Sequence, residues 1–322
     1  MLVVIALGGN AILRRGEPMS VSGQRETIAE ACGPLAQVAR EHALVVSHGN
    51  GPQVGLLALQ AASFDHVSEY PFDVLGAQTE GMLGYLIEQE LGNVLGNDRP
   101  IATLVTRTLV DPADPAFRDP TKFVGPVYTA AEAQVLVEQH GWSSRIDGSG
   151  VRRVVPSPVP LRILETKPIR WILERGGVVI CAGGGGVPTT QDRVTDVVVG
   201  IEAVIDKDLA SAVLGRDLGA DVLVIATDVD GVYAGWGGPD QRLITAVHPD
   251  SISPDDFAAG SMGPKVRAAA QFARETGGRA VIGSLQQIAA MFAGTAGTLV
   301  SNDVVGIHHH NAAPPTGTTR AS

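Results

Sequence analysis

The sequence predicts a doubly wound α/β protein, and three observations carry the prediction. Short continuous runs of Val, Ile and Leu each end in a glycine-rich loop. Helical stretches separate the runs. Glycine, at 39 of 322 residues, exceeds its usual share of about 7%, and the excess gathers at the ends of the apolar runs. Runs that are continuous, not alternating, mark strands buried on both faces, as in a parallel sheet covered by helices.

In chain order, the first run, Leu2–Leu7, enters Gly8-Gly9-Asn10. The second, 43–47, enters His48-Gly49-Asn50-Gly51-Pro52. The third, 178–182, enters Gly183-Gly184-Gly185-Gly186, and the fourth, 221–226, enters Thr227-Asp228-Val229-Asp230-Gly231. Helices are expected over 22–41, 79–91 and 208–218. Strands that alternate with helices build a parallel sheet, and ligands bind beyond the carboxyl ends of such strands. The glycine loops fall at that edge, where backbone N–H groups can approach an anion without obstruction by a Cβ.

Residues 111–160 break the rhythm. Asp111-Pro112-Ala113-Asp114-Pro115 opens a segment with five further prolines, from Pro120 to Pro160. It reads as a small irregular lobe, in which Asp147-Gly148-Ser149-Gly150 is an exposed turn. From Ser301 onward a strand end and a disordered tail are expected, with His308-His309-His310 read as solvated and not as metal ligands.

At 322 residues the chain forms one large domain or two small ones. A net charge of −10 and a pI near 5.2 argue against a nucleic-acid surface, and no nucleic-acid partner is expected; a small anionic ligand stays open. Cys32 and Cys181 make neither a disulfide framework nor a zinc site, so a reducing cytoplasm is the expected location. No run approaches the ~18 apolar residues of a membrane span, and no membrane partner is expected.

The cations carry the sharpest signal. Against 20 arginines there are four lysines: Lys122, Lys167, Lys207 and Lys265. A compact ammonium fits a crowded phosphate site where the wide guanidinium fork does not. Composition bias alone would also leave a few lysines scattered, so placement decides. Asp206 reads as the N-cap of a helix that starts at Lys207, and Lys265 follows Pro264 at the start of a helix over 266–275. A cation in a first turn opposes the helix dipole by roughly 0.3–1 kcal/mol. Two scarce lysines in disfavoured positions point to a bound anion. Lys122 sits in the lobe and could close over the site. Lys167 also precedes a helix but lacks a glycine loop, and is read as structural. Asp208, beside Lys207, could hold two ammonium groups in place. Asp228 and Asp230 read equally as contacts to a nucleotide or its Mg²⁺ and as turn residues.

Familiar nucleotide signatures are missing. There is no G-x-x-x-x-G-K-[ST]. Gly49-x-Gly51-x-x-x-Gly55 departs from the dinucleotide spacing, and no acidic residue follows at the required distance. A dehydrogenase is therefore a distant alternative.

Five segments together resemble carbamate kinases of the amino acid kinase superfamily: Ala6-Leu7-Gly8-Gly9-Asn10-Ala11; His48-Gly49-Asn50-Gly51-Pro52-Gln53-Val54-Gly55; Asp206-Lys207-Asp208-Leu209-Ala210; Thr227-Asp228-Val229-Asp230-Gly231-Val232-Tyr233; and Gly260-Ser261-Met262-Gly263-Pro264-Lys265-Val266. Pro120-Thr121-Lys122 and Arg153-Val154-Val155-Pro156 look like that family's protruding subdomain. The resemblance spans about residues 1–300. It implies an open αβα sandwich around a mainly parallel sheet, as one domain over 1–300 with a lid-like subdomain at about 111–160, and a homodimer. It implies ATP + carbamate = ADP + carbamoyl phosphate, used to make ATP in arginine metabolism, with Mg²⁺ held mainly by the nucleotide phosphates. By position, Lys122, Lys207, Lys265 and Asp208 take the catalytic places. Gly8, Gly9, Asn10, Gly49, Asn50 and Gly51 take the phosphate and carbamate side. Gly184, Gly185, Asp228, Tyr233 and Met262 take the nucleotide side. Phe123, where the family usually has Pro, and the long segment 143–151 depart from the pattern. The alternatives are another kinase of the superfamily, acting on an acyl-amino acid, a nucleoside monophosphate or an isoprenoid phosphate, and a non-catalytic nucleotide sensor on the same fold.

Overall fold

The computed structural model describes residues 1–14, 18–63, 70–258 and 260–310. The first part runs β1 (Leu2–Leu7), α1 (Val21–Glu41), β2 (Ala43–His48), α2 (Gly51–Ala62), α3 (Phe72–Leu95), β3 (Ile101–Thr103) and β4 (Arg107–Val110). Next come β5 (Lys122–Tyr128), α4 (Ala130–His140), β6 (Ser143–Asp147), β7 (Gly150–Val155), β8 (Pro160–Ile163), α5 (Thr166–Glu174), β9 (Val178–Ile180), β10 (Val187–Gln191) and β11 (Val198–Gly200). The last part holds α6 (Lys207–Leu218), β12 (Val222–Thr227), β13 (Val232–Ala234), β14 (Arg242–Val247), α7 (Met262–Thr276), β15 (Arg279–Ser284), α8 (Ile288–Phe292), β16 (Thr298–Val300) and β17 (Ile307–His309).

A ten-stranded sheet in the order β13-β14-β16-β15-β12-β1-β2-β9-β3, with β17 on β14, forms the middle layer. Its centre is parallel: β1 pairs with β2 and β12, β12 with β15, and β2 with β9. The apolar runs fill both faces. Val3, Ile5 and Leu7 of β1 pack with Ile28 and Leu35 of α1 and with Leu83 and Ile87 of α3. Val4 of the same strand packs on the opposite side with Ile169 of α5, Val213 and Leu214 of α6, and Phe272 of α7. A strand wanted by two helical layers must be apolar at every position, which is why these runs do not alternate. The expected sandwich around a mainly parallel sheet is what the chain forms.

The proline-rich segment is more regular than its composition indicates. A three-stranded antiparallel sheet, β5-β7-β6, carries α4. Pro126 falls where the β5–β7 register shifts, at a bulge that needs no ladder N–H. Lys122, expected in irregular chain, opens strand β5. Gly148, at φ +62°, makes the expected exposed turn between β6 and β7.

The strand expected after Ser301 is β17, and it includes two of the three histidines. Ser301–His310 does not trail into solvent: it returns to the sheet, where β17 pairs antiparallel with β14. His308 and His309 are thus strand residues. The polar triplet can form a strand because backbone pairing needs no apolar side chains. The expected tail over 311–322 lies outside the described residues.

Candidate active site

Four parallel strands deliver their loops to one edge, and the edge closes around two adjoining cavities. The smaller, about 280 Å³, is lined by Gly9, Gly49, Asn50 and Gly51, by Gly184, and by Lys122, Lys207, Asp208 and Lys265. The larger, about 880 Å³, is lined by Asp228, Tyr233 and Met262, with Lys265 and Ser261 common to both. Residues from all five motif segments therefore meet.

Asp208 is the hub. Lys207 Nζ donates to its Oδ1 at 2.6 Å, and Lys265 Nζ to its Oδ2 at 3.0 Å. All three side chains are nearly buried. Burial opposes ionisation of Asp208, but the two ammonium groups outweigh it and hold the carboxyl well below the usual carboxylate range. Burial also lowers Lys207, against the pull of Asp208 and with the push of Lys265. One negative charge between two positive ones leaves a net positive cavity wall, suited to an anion.

Asp206 organises the other side. Its Oδ1 accepts from the N–H groups of Asp208 and Leu209 and so caps α6. Its Oδ2 accepts from Lys122 Nζ at 2.7 Å. Buried Asp206 is held below its ordinary value by Lys122, and Lys122 is raised by Asp206 despite the opposing effect of burial. About a third of the Lys122 side chain remains exposed, so it reaches the cavity from the subdomain side.

The glycines are where backbones crowd. A Cβ on Gly8 would stand 2.8 Å from the Ala226 carbonyl oxygen. Gly184 combines φ +65° with the Asn50 side chain where its Cβ would be. Asn50 donates to Thr79 Oγ1 at 2.8 Å. Asn10 donates to Asp228 Oδ2 at 2.7 Å and ties the first glycine loop to the fourth. Gly184 lies with the lysine cavity, not beside Asp228 and Met262, and Gly185 backs onto the Ile205 carbonyl. Lys167, read as structural, lies over the Trp171 ring at 5.3 Å.

Sequence reasoning missed a buried layer beneath the loops. Glu80, fully buried on α3, accepts from Thr106 Oγ1, Thr106 N–H and Gly183 N–H at 2.7, 3.1 and 2.9 Å. Thr106 Oγ1 in turn accepts from the N–H of Ala182, which holds φ +52°. Burial pushes Glu80 up to about 7. His48 ends β2, its Nδ1 donating to the Gly49 carbonyl at 3.1 Å, while its buried Nε2 has no partner. Burial pulls His48 down to about 4, with Lys207 adding to the effect. A charged residue on the core-facing side of a helix, in register with Leu83 and Ile87, was the available signal for Glu80. Trp236, Arg242 and His309, which line the larger cavity, carried none.

Among the described residues no group of three or more His, Cys, Asp or Glu could hold a metal. Both Asp208 oxygens face lysines. Asp228 and Asp256 are the carboxylates lining the larger cavity, and Asp228 is the one tied to the first glycine loop through Asn10. This donor set fits a Mg²⁺ that arrives on nucleotide phosphates and takes one carboxylate from the protein. No helix among the described residues is long and apolar enough to cross a membrane.

Fold and comparisons agree on the class: the chain belongs to the amino acid kinase family, whose model matches residues 1–284. Within it, the chain is 53% identical to the carbamate kinase of Rhizobium meliloti (strain 1021), over 98% of both chains. It is 48% identical to the carbamate kinase of Escherichia coli (strain K12), over 93% of this chain and 99% of that one. Among solved structures it resembles carbamate kinase from Giardia lamblia bound to AMP-PNP, with a TM-score of 0.85 and 39% identity over 93% of this chain and 98% of that chain.

Proposed function

We propose that this chain catalyses reversible phosphoryl transfer between ATP and carbamate, giving ADP and carbamoyl phosphate. The observation that carries the reading is the Asp208 carboxylate, shared by Lys207 and Lys265 on the wall common to two cavities. One cavity has the size and lining for a nucleotide. The other is smaller, cationic and edged by glycine loops.

Carbamate is an anion with a nucleophilic oxygen, so attack on the terminal phosphorus of ATP needs no strong general base. The carbamate oxygen–phosphorus bond forms as the bond from phosphorus to the ADP oxygen breaks, and the electron pair leaves on ADP. The transition state carries its charge on the phosphoryl oxygens, so catalysis rests on position and charge. Lys207 and Lys265 clamp the transferring group and the nucleotide phosphates. Asp208 orients both. Lys122, on the subdomain, covers the acceptor side as part of a lid. The loops at Gly8-Gly9-Asn10 and Gly49-Asn50-Gly51 supply N–H donors, and Gly184 joins them from the facing loop. Asp228, Tyr233 and Met262 hold the nucleotide. Mg²⁺, when bound, neutralises phosphate charge, with Asp228 its protein contact.

In this reading the protein is one catalytic domain over 1–300 that works in the cytoplasm as a homodimer, making ATP from carbamoyl phosphate. The test is ATP formation from ADP, Mg²⁺ and carbamoyl phosphate in a coupled assay. No ATP above the uncatalysed rate overturns the reading. Phosphorylation of an acyl-amino acid or a nucleoside monophosphate in preference to carbamate would move it to another member of the same family.

A further inference from the structure

Helix α2 and subdomain strand β5 touch backbone to backbone at two glycines. Gly55, buried in α2, lies so close to Gly125 of β5 that a Cβ on Gly55 would stand 2.5 Å from both the N and the Cα of Gly125. Ordinary carbon contacts are about 3.5–4.0 Å, so the strand would have to move by roughly 1 Å. It is not free to yield. The Gly125 carbonyl accepts from Arg152 Nε at 2.7 Å, and Gly125 holds φ +71° at the β5 bulge.

The two glycines sit close to the cationic cavity in sequence and in space. Gly55 is one helical turn beyond Gly51, and Gly125 is three residues beyond Lys122. The cavity wall includes Gly49–Gln53 on one side and Lys122–Val124 on the other. We propose that Gly55 is a positioning residue: its bare contact with Gly125 sets the distance between the Lys122 ammonium and the loop Gly49-Asn50-Gly51. This rests on the reading of Lys122 as a cation over the acceptor. A displacement of about 1 Å at such a group can cost on the order of 10²-fold in rate.

Gly55→Ala separates this from helix stability. In a helix interior Ala is intrinsically better than Gly by about 1 kcal/mol, so any loss comes from the contact. Gly81→Ala, in α3, adds a Cβ that meets open space and is the control. Four proteins are compared with wild type for ATP formation from ADP and carbamoyl phosphate, and for ADP affinity by calorimetry: Gly55→Ala, Lys122→Ala, the double variant and Gly81→Ala. The expected result is a kcat lowered about 10–100-fold by Gly55→Ala, with ADP affinity within about twofold, because Gly55 is remote from the nucleotide cavity. In the Lys122→Ala background Gly55→Ala changes kcat by less than about twofold, since the residue acts through Lys122. The proposal is overturned by wild-type kcat in Gly55→Ala, by effects that add in full, or by loss of ADP binding, which would make the contact one that serves the whole fold. Wild-type kcat in Lys122→Ala overturns the reading of Lys122 itself, and the proposal with it.

Discussion

Asp206 and Lys122, 84 residues apart, join the subdomain to the body through one carboxylate. The same carboxylate caps α6 through its other oxygen. Cap and ion pair can be separated by mutation. Asn caps helices about as well as Asp, so Asp206→Asn keeps α6 and releases Lys122. The expected outcome is a melting temperature within about 2 °C of wild type and a kcat lowered about tenfold. Asp206→Ala should lose roughly 1 kcal/mol more stability from the missing cap. Equal stabilities for the two variants, by urea unfolding, would contradict the dual role.

Lys207→Ala is expected to lower turnover at least ~10²-fold with the fold intact, the scale seen when one donor to a developing charge is removed. Lys207→Arg keeps the charge but not the compact head, and should recover little of the loss. Activity of Lys207→Ala within a few-fold of wild type would remove Lys207 from the mechanism.

Asp208→Asn leaves two buried ammonium groups without their counter-charge. Breaking a buried pair costs on the order of 3–5 kcal/mol. The pH dependence has a definite sign. A carboxyl depressed in the folded state stabilises above its unfolded value, near 4, and loses that contribution only as pH falls through its lower folded value. Urea-unfolding curves of wild type and Asp208→Asn should therefore stay equally separated from pH 7 to about 5 and converge only in stronger acid. Convergence already near pH 6 would refute this.

Glu80 and His48 pull stability in opposite directions. Glu80 rises from 4.5 to about 7, so the folded state binds its proton first and stability falls as pH climbs through that window. His48 drops from 6.5 to about 4, so the unfolded state binds its proton first and stability rises with pH between 4 and 6.5. Each slope amounts to roughly 3 kcal/mol. Lys207 beside His48 and Glu165 towards Glu80 reinforce the shifts. In wild type the two largely offset between pH 4.5 and 6.5. His48→Gln should expose the downward slope and Glu80→Gln the upward one, read from urea midpoints across that range. Unchanged slopes in both variants would contradict the assignment.

Much of the site was legible because function broke local rules. Lys207 and Lys265 stood in first helical turns, against the dipole, in a chain that otherwise uses Arg. The strands were legible because a sheet covered on both faces demands unbroken apolar runs. The subdomain sheet was not, because prolines flanking its strands, Pro120 and Pro156, and Pro126 at a bulge mimic loop composition. Glu80 and His48 were hidden for another reason: their importance lies in which atoms surround them, and a lone polar residue within a helix or at a strand end has many ordinary explanations.

The sequence by itself determined the parallel sheet, the edge at which ligands bind, and the residue types gathered there, since these follow from local periodicity and motif composition. Only the tertiary structure decided which distant partners meet: Lys122 with Asp206, Lys265 with Asp208, Gly55 with Gly125, and β17 with β14. Those contacts join residues from 57 to 84 positions apart in the three joined by hydrogen bonds or backbone contact across the cationic cavity, Lys265 with Asp208, Gly55 with Gly125 and Lys122 with Asp206. Such pairings are set by packing of the whole sheet and its two helical layers, and no local pattern encodes them.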